Sequence, residues 1–348
     1  MNKQFNAHVA VVGASGMVGR QVLACLRDLH FATASVRAFA SPQSTQHQLD
    51  IDGETIHVQP IHPRAFDGVQ LAFFAVDNAV AHQFCPQAIA AGAVCIDKSS
   101  AHRMDKDVPL VVPEVNPNAL SGWRARHIVA SPNCVVIPLV RVLHALRQGS
   151  PLKRVVVCSY QAASGMGKQG VQQLQQQTQQ LLQNTAQQPI DWSKQLAFNV
   201  LPCIPESGKF SEAGSSSEED KVVLECRKIL DEPQLPIEAT CVRVPVLHGH
   251  AAAVHVELTQ PMPLQRARQL LAAAPGVQLY HHDALNLPPF PTPAHVAGTN
   301  TVAVGRVRHD RSVANGLALW LCSDNVRVGA AVNAVRTAQL LCEQYWTS

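Results

Sequence analysis

The chain has 348 residues, of which 47% are hydrophobic and 15% charged, so it can bury large cores, and its length predicts about two domains. A formal net charge of +3 and an aromatic content of 5% argue against nucleic acid as a partner, because they predict neither a basic surface nor a set of stacking rings. No apolar run is long enough to span a bilayer, and the polar start over residues 1–8 is unlike a secretory signal. We therefore expect a cytoplasmic protein without a membrane partner.

The number and spacing of the cysteines are also typical of a cytoplasmic protein. Ten are spread from Cys25 to Cys342 without a CxxC pair. This spacing argues against a disulfide framework or a structural zinc site and favours a reducing environment. Most of the ten are predicted to be small buried hydrophobes.

The first part of the chain alternates between strand and helix patterns. An apolar run over 8–12 leads into the glycine turn GASGMVG, and a helical pattern of apolar residues follows. Further buried strands are predicted at 35–40, 69–75, 93–97 and 127–130, with a helix over 78–91. This alternation predicts a doubly wound α/β domain of the Rossmann type over residues 1–130.

From about Ser131 the pattern changes. Segments with a period of two predict strands at 154–159, 239–246 and 252–258. A glutamine-rich stretch over 171–188 predicts a long helix, because its apolar residues recur on one face; a low-complexity tract is the alternative. The last pattern, 325–345, is an amphipathic helix. We expect a second α/β domain over 131–324 and a C-terminal segment, 325–348, that returns to complete the first domain.

Glycines at positions 13, 16 and 19 follow a strand directly and open a helix. They allow a tight turn, let backbone amides approach a pyrophosphate and permit close packing of helix on sheet. A glycine turn without a ligand is the competing interpretation, but the strand–turn–helix context favours a nucleotide. No acidic residue follows at about 20 positions, where NAD sites usually have one. The turn after the second strand carries Ser41 and Ser44 instead, which favours NADP.

Cys134 lies in the turn SPNC, after a predicted strand and ahead of a predicted helix. A cysteine at a helix N-terminus feels the helix dipole, which lowers the pKa of a thiol and raises its thiolate fraction. A buried packing cysteine is the competing interpretation and the usual state of any one of the ten. Only Cys134 combines a strand end with a helix start, so it is the candidate nucleophile.

Two further strand ends carry polar side chains. Gln161, in YQAASGMG, offers an amide to a carbonyl or thioester oxygen, although simple turn chemistry also explains it. Arg243 lies on the opposite face of an alternating strand from its valines, and that strand leads into His248-Gly-His250. Histidine serves as a general acid or base near neutral pH. A metal pair would need a third ligand at useful spacing, and none stands out, so we predict no metal site.

Taken together, these motifs resemble the aspartate-semialdehyde dehydrogenase family along nearly the whole chain. The resemblance is carried by VVGASGMVGR, DVPLVVPEVNP, SPNC, YQAASGMGK, EEDKVVLECRKIL, TCVRVPV with HGH, VGRVRHD and SDNVRVGAAVNAV. It implies a homodimer formed through the second, catalytic and dimerisation domain. It also implies reduction of aspartyl phosphate by NADPH through a thioester, in the biosynthesis of lysine, threonine and methionine. N-acetyl-glutamyl-phosphate reductase shares the chemistry but not this set of blocks.

The resemblance implies a role for individual residues as well. Cys134 matches the nucleophile, Gln161 the residue that orients the acyl intermediate and His250 the general acid/base. Arg243 matches the arginine that binds the substrate's α-carboxylate, and Glu218 the acidic residue near its amine. The remaining matches are Asn133 before the nucleophile; Arg103 and Lys221 for phosphate; and, for the cofactor, Gly13, Ser15, Gly16, Met17, Val18, Gly19, Ser41, Ser44, Ser164, Gly165 and Asn325.

Several positions depart from the family's pattern. Val135 and Val136 follow the nucleophile where Ser-Thr is usual, and Gln43 replaces an arginine after the second strand. Lys98 replaces an asparagine, and Val328 replaces a lysine before the last glycine-alanine block. Such changes are typical of USG-1-like paralogues, which keep the fold but often alter active-site residues and would act as interaction proteins. A related acyl-phosphate reductase with another substrate is a third possibility. Because the Cys–Gln–Arg–His set is complete, the sequence favours an active aspartate-semialdehyde dehydrogenase.

Overall fold

A computed structural model describes residues 6–44, 48–51, 53–62, 64–183, 191–205, 208–281 and 288–346. The chain divides into two compact units, one formed by Met1–Asn133 with Gly329–Ser348 and the other by Cys134–Val328. Within the described ranges, every helix is too short or too polar to cross a membrane.

The described residues form thirteen strands and eight α-helices. The strands are β1 (Ala7–Val12), β2 (Thr33–Ala40), β3 (Gln48–Ile51), β4 (Glu54–Pro60), β5 (Leu71–Phe74), β6 (Val94–Asp97), β7 (Ile128–Ala130), β8 (Leu152–Gln161), β9 (Ile237–Arg243), β10 (His250–Leu258), β11 (Val277–Leu279), β12 (Val302–Asp310) and β13 (Gly316–Ser323). The helices are α1 (Met17–Asp28), α2 (Asn78–Ala90), α3 (Val136–Arg147), α4 (Gly167–Leu182), α5 (Ser217–Leu230), α6 (Leu264–Ala273), α7 (Pro293–Val296) and α8 (Asn333–Tyr345). Shorter 3-10 turns cover Pro42–Ser44, Pro117–Ala125 and Ala163–Met166, and a π-helical turn covers Arg327–Val332.

The first unit is built on a seven-stranded sheet in the order β3-β4-β2-β1-β5-β6-β7. Neighbouring strands are parallel except β3 and β4. Strands such as LAFF and VCID are buried along their whole length, as parallel strands covered on both faces must be. Helix α8 packs against α1 and β6, so the C-terminus belongs to this unit. The predicted Rossmann-type sheet with a returning C-terminal helix is confirmed.

The antiparallel pair β3–β4 was not predicted from the sequence. In a regular doubly wound fold, a helix would connect the parallel strands β2 and β4. Here the connection contains β3, which pairs with β4 at the edge of the sheet. An Asp-Gly turn between alternating segments is a hairpin signal that was available in the sequence, and Gly53 has a φ of 82° there.

The second unit is built on a six-stranded sheet in the order β11-β12-β13-β10-β8-β9. Strands β8 and β9 are parallel, whereas β10 runs antiparallel to β8. Burial alternates along β8 to β10, so one face of the sheet is core and the other is partly exposed. Helix α3 is apolar almost all round and lies inside this unit, where it contacts α5 and α6.

Two predicted helices differ in their bounds. The glutamine-rich helix α4 begins at Gly167, four residues earlier than predicted, and its predicted end over 184–188 lies outside the described residues. Of its apolar stripe, Leu174 is buried, whereas Leu182 is 71% exposed. The C-terminal pattern divides into the π-helical turn and α8, because the helical repeat is interrupted before Asn333.

Candidate active site

Three strand ends of the second unit meet at one edge of its sheet. Gln161 is the last residue of β8 and Arg243 the last of β9, and the two are paired in register. His250 is the first residue of β10, and because that strand is antiparallel to β8, it starts where β8 ends. All three side chains are at most 3% exposed. The sheet topology therefore brings together residues that are far apart in the sequence.

The backbone of Ala162 connects two of these side chains. Arg243 Nη1 donates to the Ala162 carbonyl oxygen at 2.9 Å, and the Ala162 N–H donates to His250 Nδ1 at 3.0 Å. Gly165 lies against both groups. A Cβ atom built on it would be 2.7 Å from Arg243 Nη1 and 3.4 Å from His250 Nε2. Glycine at 165 therefore leaves the space that the guanidinium and the imidazole occupy.

The environment of His250 determines its protonation. Because Nδ1 accepts a hydrogen bond, the neutral ring carries its proton on Nε2. Burial, and secondarily the charge of Arg243, lower the pKa of His250 to about 3. Nε2 is buried and has no hydrogen-bond partner among the described residues. His250 is thus a neutral imidazole with a buried N–H donor next to a guanidinium.

Gln161 is held by a carboxylate from a neighbouring helix. Its Nε2 donates to Glu218 Oε1 at 3.3 Å and to Ser159 Oγ at 3.2 Å. Glu218 is buried in the first turn of α5, and its second oxygen lies 3.6 Å from Lys221 Nζ. Gln161, predicted as a catalytic residue, thus forms one chain of contacts with Glu218 and Lys221, which were predicted to bind substrate.

Hydrogen bonds stabilise the N-terminus of helix α5, where Glu218 lies. Ser216 and Glu219 form a capping box, in which the Ser216 N–H donates to Glu219 Oε2 at 2.7 Å. Glu219 Oε1 also accepts the N–H of Cys241 in β9 at 2.9 Å. Glu219 was not predicted from the sequence, although Ser-x-x-Glu ahead of an apolar run is a recognised helix start.

Cys134 is half-buried and lies two residues before the start of α3. No side chain caps that helix N-terminus, and its first turn contains no acidic residue, so nothing on the helix opposes its dipole at this end. Val135 and Val136, which replace the usual hydroxyl residues, are buried among apolar side chains. Their role here is packing.

A second thiol lies near the candidate nucleophile. Cys241 interacts electrostatically with Cys134 and is hydrogen-bonded to Ser159; its burial raises its pKa to about 12. Cys241 therefore stays protonated at neutral pH. Ser159 and Cys241 were not predicted as site residues from the sequence. Ser159 was predictable, because a residue two positions before Gln161 lies on the same face of a strand.

Asn325 connects two turns of the second unit. Its Oδ1 accepts from Ser164 Oγ at 2.9 Å and from the Gly249 N–H at 3.1 Å. Ser164 and Asn325, both cofactor candidates, are therefore brought together and buried. His248 is exposed whereas His250 is buried, and the described residues contain no group of three or more potential metal ligands.

The glycine turn of the first unit has the geometry of a phosphate-binding loop. Gly13 has a φ of 83°, and a Cβ there would be 2.3 Å from the Ala75 carbonyl oxygen. A Cβ on Gly19 would be 2.1 Å from the Gly13 carbonyl oxygen. Gly16 is the N-cap of α1, and neither a side-chain cap nor an acidic residue occupies that helix end. Ser15, Met17 and Val18 lie in the same turn and first helical residues, so the cradle fits a dinucleotide phosphate.

The turn after β2 contains the candidates for the NADP phosphate. Ser41 and Gln43 are exposed, while the side chain of Ser44 lies outside the described part of the structure. Arg37 Nη1 donates to the Asp67 carbonyl oxygen at 2.8 Å, which gives this guanidinium a partner elsewhere in the unit. A cavity of about 880 Å³ beside β2 and β4 is lined by Arg37 and His57 but by none of the cofactor candidates.

The two phosphate candidates fall in different units. Arg103 belongs to the first, where it is buried and its Nη2 donates to the Lys98 carbonyl oxygen at 2.7 Å. Lys221 belongs to the second. Asn133, the last residue of the first unit before the chain enters the second at Cys134, is buried.

Comparison with known proteins identifies the family to which the chain is similar. A family model described as semialdehyde dehydrogenase, NAD binding domain, matches residues 8–123, and one described as semialdehyde dehydrogenase, dimerisation domain, matches 143–328. Aspartate-semialdehyde dehydrogenase of Synechocystis sp. is 39% identical, over 97% of this chain and 98% of that protein. The corresponding Bacillus subtilis protein is 39% identical, over 96% and 97%.

Solved structures agree. Aspartate semialdehyde dehydrogenase II from Vibrio cholerae matches with a TM-score of 0.91 and 39% identity, over 99% of this chain and 100% of that one. Its complex with ASA matches with a TM-score of 0.92 and 38% identity, over 98% and 99%. Full-length similarity at this level, together with two matched domains, shows that the chain belongs to the aspartate-semialdehyde dehydrogenase family of oxidoreductases.

Proposed function

We propose that this enzyme reduces L-aspartyl 4-phosphate to L-aspartate 4-semialdehyde with NADPH, in the biosynthesis of lysine, threonine and methionine. The observation that carries the proposal is the buried cluster of Gln161, Arg243 and His250, with Glu218 beside it. This cluster offers an amide, a cation, a neutral N–H donor and an anion at one sheet edge. An amino acid activated on its side chain needs this combination.

The acyl transfer is assigned to Cys134. Its thiolate attacks the acyl carbon of the mixed anhydride, so that a C–S bond forms and the C–O bond to phosphate breaks. Phosphate departs with the bonding electron pair, and Arg103 and Lys221 are proposed to bind it. The protonated thiol of Cys241 does not compete, because burial keeps its pKa far above neutral.

The Nε2–H of His250 is proposed to stabilise the acyl oxygen as negative charge develops on it, as in an oxyanion hole. A bound NADPH would supply the hydride that reduces the acyl group. When the C–S bond to Cys134 breaks, its electron pair stays on sulfur, so that Cys134 regains its thiolate and the aldehyde is released. Because the Ala162 N–H donates to Nδ1, the atom of His250 that is available to the substrate is Nε2, which carries the proton of the neutral ring. The acid/base role predicted for His250 therefore begins with donation of a hydrogen bond from Nε2.

The amino-acid end of the substrate is assigned to opposite charges. Arg243 is proposed to bind the α-carboxylate, and Glu218 the ammonium group. The guanidinium is oriented by the Ala162 carbonyl oxygen, and the carboxylate by Gln161 and Lys221. A preoriented guanidinium binds a carboxylate with less loss of side-chain freedom than a mobile lysine does.

The cofactor is proposed to bind with its pyrophosphate on the loop Gly13–Gly19 and the amides of Met17 and Val18. Ser164, Gly165 and Asn325 are proposed to contact the same cofactor. Ser41 and Ser44 are proposed to donate hydroxyl hydrogen bonds to the 2′-phosphate of a bound NADP. Because Gln43 adds no charge there, we propose NADP binding with narrowed discrimination over NAD.

The proposal is tested by phosphate-dependent reduction of NADP⁺ with aspartate semialdehyde. We expect turnover in the wild type and a loss of at least about a hundredfold in Cys134→Ser, because the thioester cannot form. Cys203→Ser is the matched control, since Cys203 is also half-buried and its thiol donates to the Pro205 carbonyl oxygen. An inactive wild type that still binds nucleotide would favour the non-catalytic paralogue instead.

We also propose a homodimer formed through the second unit, since the family model over 143–328 is described as a dimerisation domain. A groove of about 550 Å³ along α4 is lined by exposed apolar side chains, including Leu182, Phe198 and Leu247. A second copy of this surface would cover them. Sedimentation should show a dimer that Leu182→Glu weakens, while Gln176→Glu on the same helix leaves it intact. An unchanged dimer in Leu182→Glu would place the interface elsewhere.

None of the ten cysteines, all of which lie in the described ranges, is in a disulfide. This state suits a reducing compartment, and we propose a cytoplasmic location.

A further inference from the structure

The sheet of the first unit opens between β2 and β4. These two strands pair with each other only over residues 38–40 of β2 and 58–60 of β4. Ahead of that point, residues 33–37 of β2 pair with β1, and residues 54–57 of β4 pair with β3. Among the described residues, no strand pairs with the edges of 33–37 and 54–57 that face each other. We call the gap between these two segments the fork.

The fork contains the cavity of about 880 Å³ noted beside β2 and β4. Its walls come from the two strands, from the end of α1 and the residues after it, and from the segment that follows β4. A volume of this size is typical of pockets for small molecules. The unpaired strand edges add backbone N–H groups that can donate to a ligand. The fork is therefore large and polar enough to hold a small molecule.

The two sides of the fork differ in character. Val36 of β2 and Ile56 of β4 pack against the apolar core cluster on the side of α1. Because successive side chains of a strand point to opposite faces, the neighbouring Arg37 and His57 project from the other side. Both are exposed and line the cavity. We call this other side the basic side of the fork.

Four cationic or imidazole side chains line the basic side: Arg37, His57, His62 and Arg64. All four are exposed. The ring of His62 stands edge-on to the buried ring of Phe39, with 6.3 Å between the ring centroids, and this contact orients the imidazole. The basic side thus presents two guanidinium groups and two imidazoles to one space.

The carboxylates near the fork leave its positive charge in excess. Glu54 is the one acidic residue of the lining, and its Oε2 lies 3.5 Å from Arg27 Nη1. Asp67 accepts from Arg64 Nε at 3.1 Å through its side chain and from Arg37 Nη1 at 2.8 Å through its carbonyl oxygen. Within the described part of the chain, Arg37 therefore has no carboxylate partner, and most of its N–H groups face no protein acceptor. A concave surface of this charge attracts anions.

We propose that the fork binds a small multivalent anion, whose charged groups lie on Arg37 and Arg64 and accept further hydrogen bonds from His57 and His62. Phosphate and carboxylate groups both match the planar guanidinium, so the ligand is a small metabolite with two or more such groups. None of the residues assigned to the reaction or to the cofactor lines the cavity. This anion is therefore neither the substrate nor the cofactor.

The test is calorimetric titration of the full chain with two probes, inorganic pyrophosphate and citrate, at neutral pH and with saturating NADP⁺. NADP⁺ is present so that the probes do not report on the glycine turn. Arg37→Ala and His57→Ala change the fork. Arg126→Ala is the matched control, since this arginine of the same unit is also exposed but pairs with Asp107 at 3.2 Å and does not line the cavity. Lys221→Ala examines a phosphate candidate of the second unit.

We expect one probe molecule per chain, bound at least about tenfold more weakly by Arg37→Ala, because a charge-assisted contact is lost. His57→Ala should weaken binding by a smaller factor, since an imidazole contributes one hydrogen bond. Arg126→Ala and Lys221→Ala should bind as the wild type does. Binding of pyrophosphate alone would assign the ligand to the organic phosphates, and binding of citrate alone to the polycarboxylates.

Three results would overturn the assignment: binding of neither probe, affinity in Arg37→Ala within twofold of wild type, or loss of binding in Lys221→Ala. A separate NADP⁺ titration of Arg37→Ala gives a fourth. If that variant loses as much affinity for NADP⁺ as for the probe, Arg37 serves the 2′-phosphate and the fork is part of the cofactor site. These titrations require no turnover, so the fork is tested even if the proposed reaction fails.

Discussion

A methyl group at position 165 tests the geometry of the candidate site directly. In Gly165→Ala, the new Cβ would lie 2.7 Å from Arg243 Nη1, which is shorter than real contacts of this kind, so the guanidinium must move. Moving it breaks the hydrogen bond to the Ala162 carbonyl oxygen. Losing one charge-assisted hydrogen bond costs about 1.5–3 kcal/mol, which corresponds to a decrease of about ten- to a hundredfold in kcat/KM.

The fold itself should tolerate this change. Gly165 is not among the glycines with positive φ, so alanine can adopt its backbone conformation. Replacing a glycine of this kind by alanine raises the free energy of unfolding by about 0.4–1 kcal/mol, because the unfolded chain has fewer conformations. We therefore expect a thermal midpoint near that of wild type together with a raised KM for the semialdehyde, since Arg243 is assigned to its carboxylate. Gly122→Ala is the control, because a Cβ there meets no atom within 4 Å. A Gly165→Ala enzyme with kcat/KM within twofold of wild type would refute the assignment of Arg243.

Three further predictions concern single residues. His250 has a pKa of about 3 in the folded state and about 6.5 when unfolded, so the unfolded state binds more protons between these values and the free energy of unfolding rises as the pH increases from about 3 to 6.5. Urea titrations of His250→Gln should show that slope reduced by up to about 1.4 kcal/mol per pH unit, and an unchanged slope would contradict the buried neutral ring. Gln43→Arg should tighten NADP by about ten- to a hundredfold in nucleotide titrations and leave NAD nearly unchanged, whereas equal effects would show that residue 43 does not face the 2′-phosphate. Gly19→Ala should abolish nucleotide binding and lower the thermal midpoint, because its Cβ would lie 2.1 Å from the Gly13 carbonyl oxygen; retained nucleotide affinity would exclude this loop as the cradle.

Much of the fold was predictable because its signals are local. The run of strand, glycine turn and helix at the N-terminus depends on residues within 20 positions of one another, and the parallel strands are apolar enough to recognise singly. Strands β11 to β13 and the hairpin β3–β4 were missed. Strands β3 and β11 are short, and β11 is only partly buried, so neither has a strong pattern of its own. Strand β11 pairs with β12, and β13 with β10, across long separations in the sequence.

Residue types alone determined which chemistry this protein has available: a thiol ahead of a helix, a glutamine and an arginine at strand ends, and a histidine after a glycine. Only the tertiary structure decided their states. The proton of His250 is on Nε2 because Ala162, brought beside it by the antiparallel pairing of β8 and β10, donates to Nδ1. Sequence specifies side chains one at a time, whereas hydrogen bonds and burial depend on pairs that only folding brings into contact.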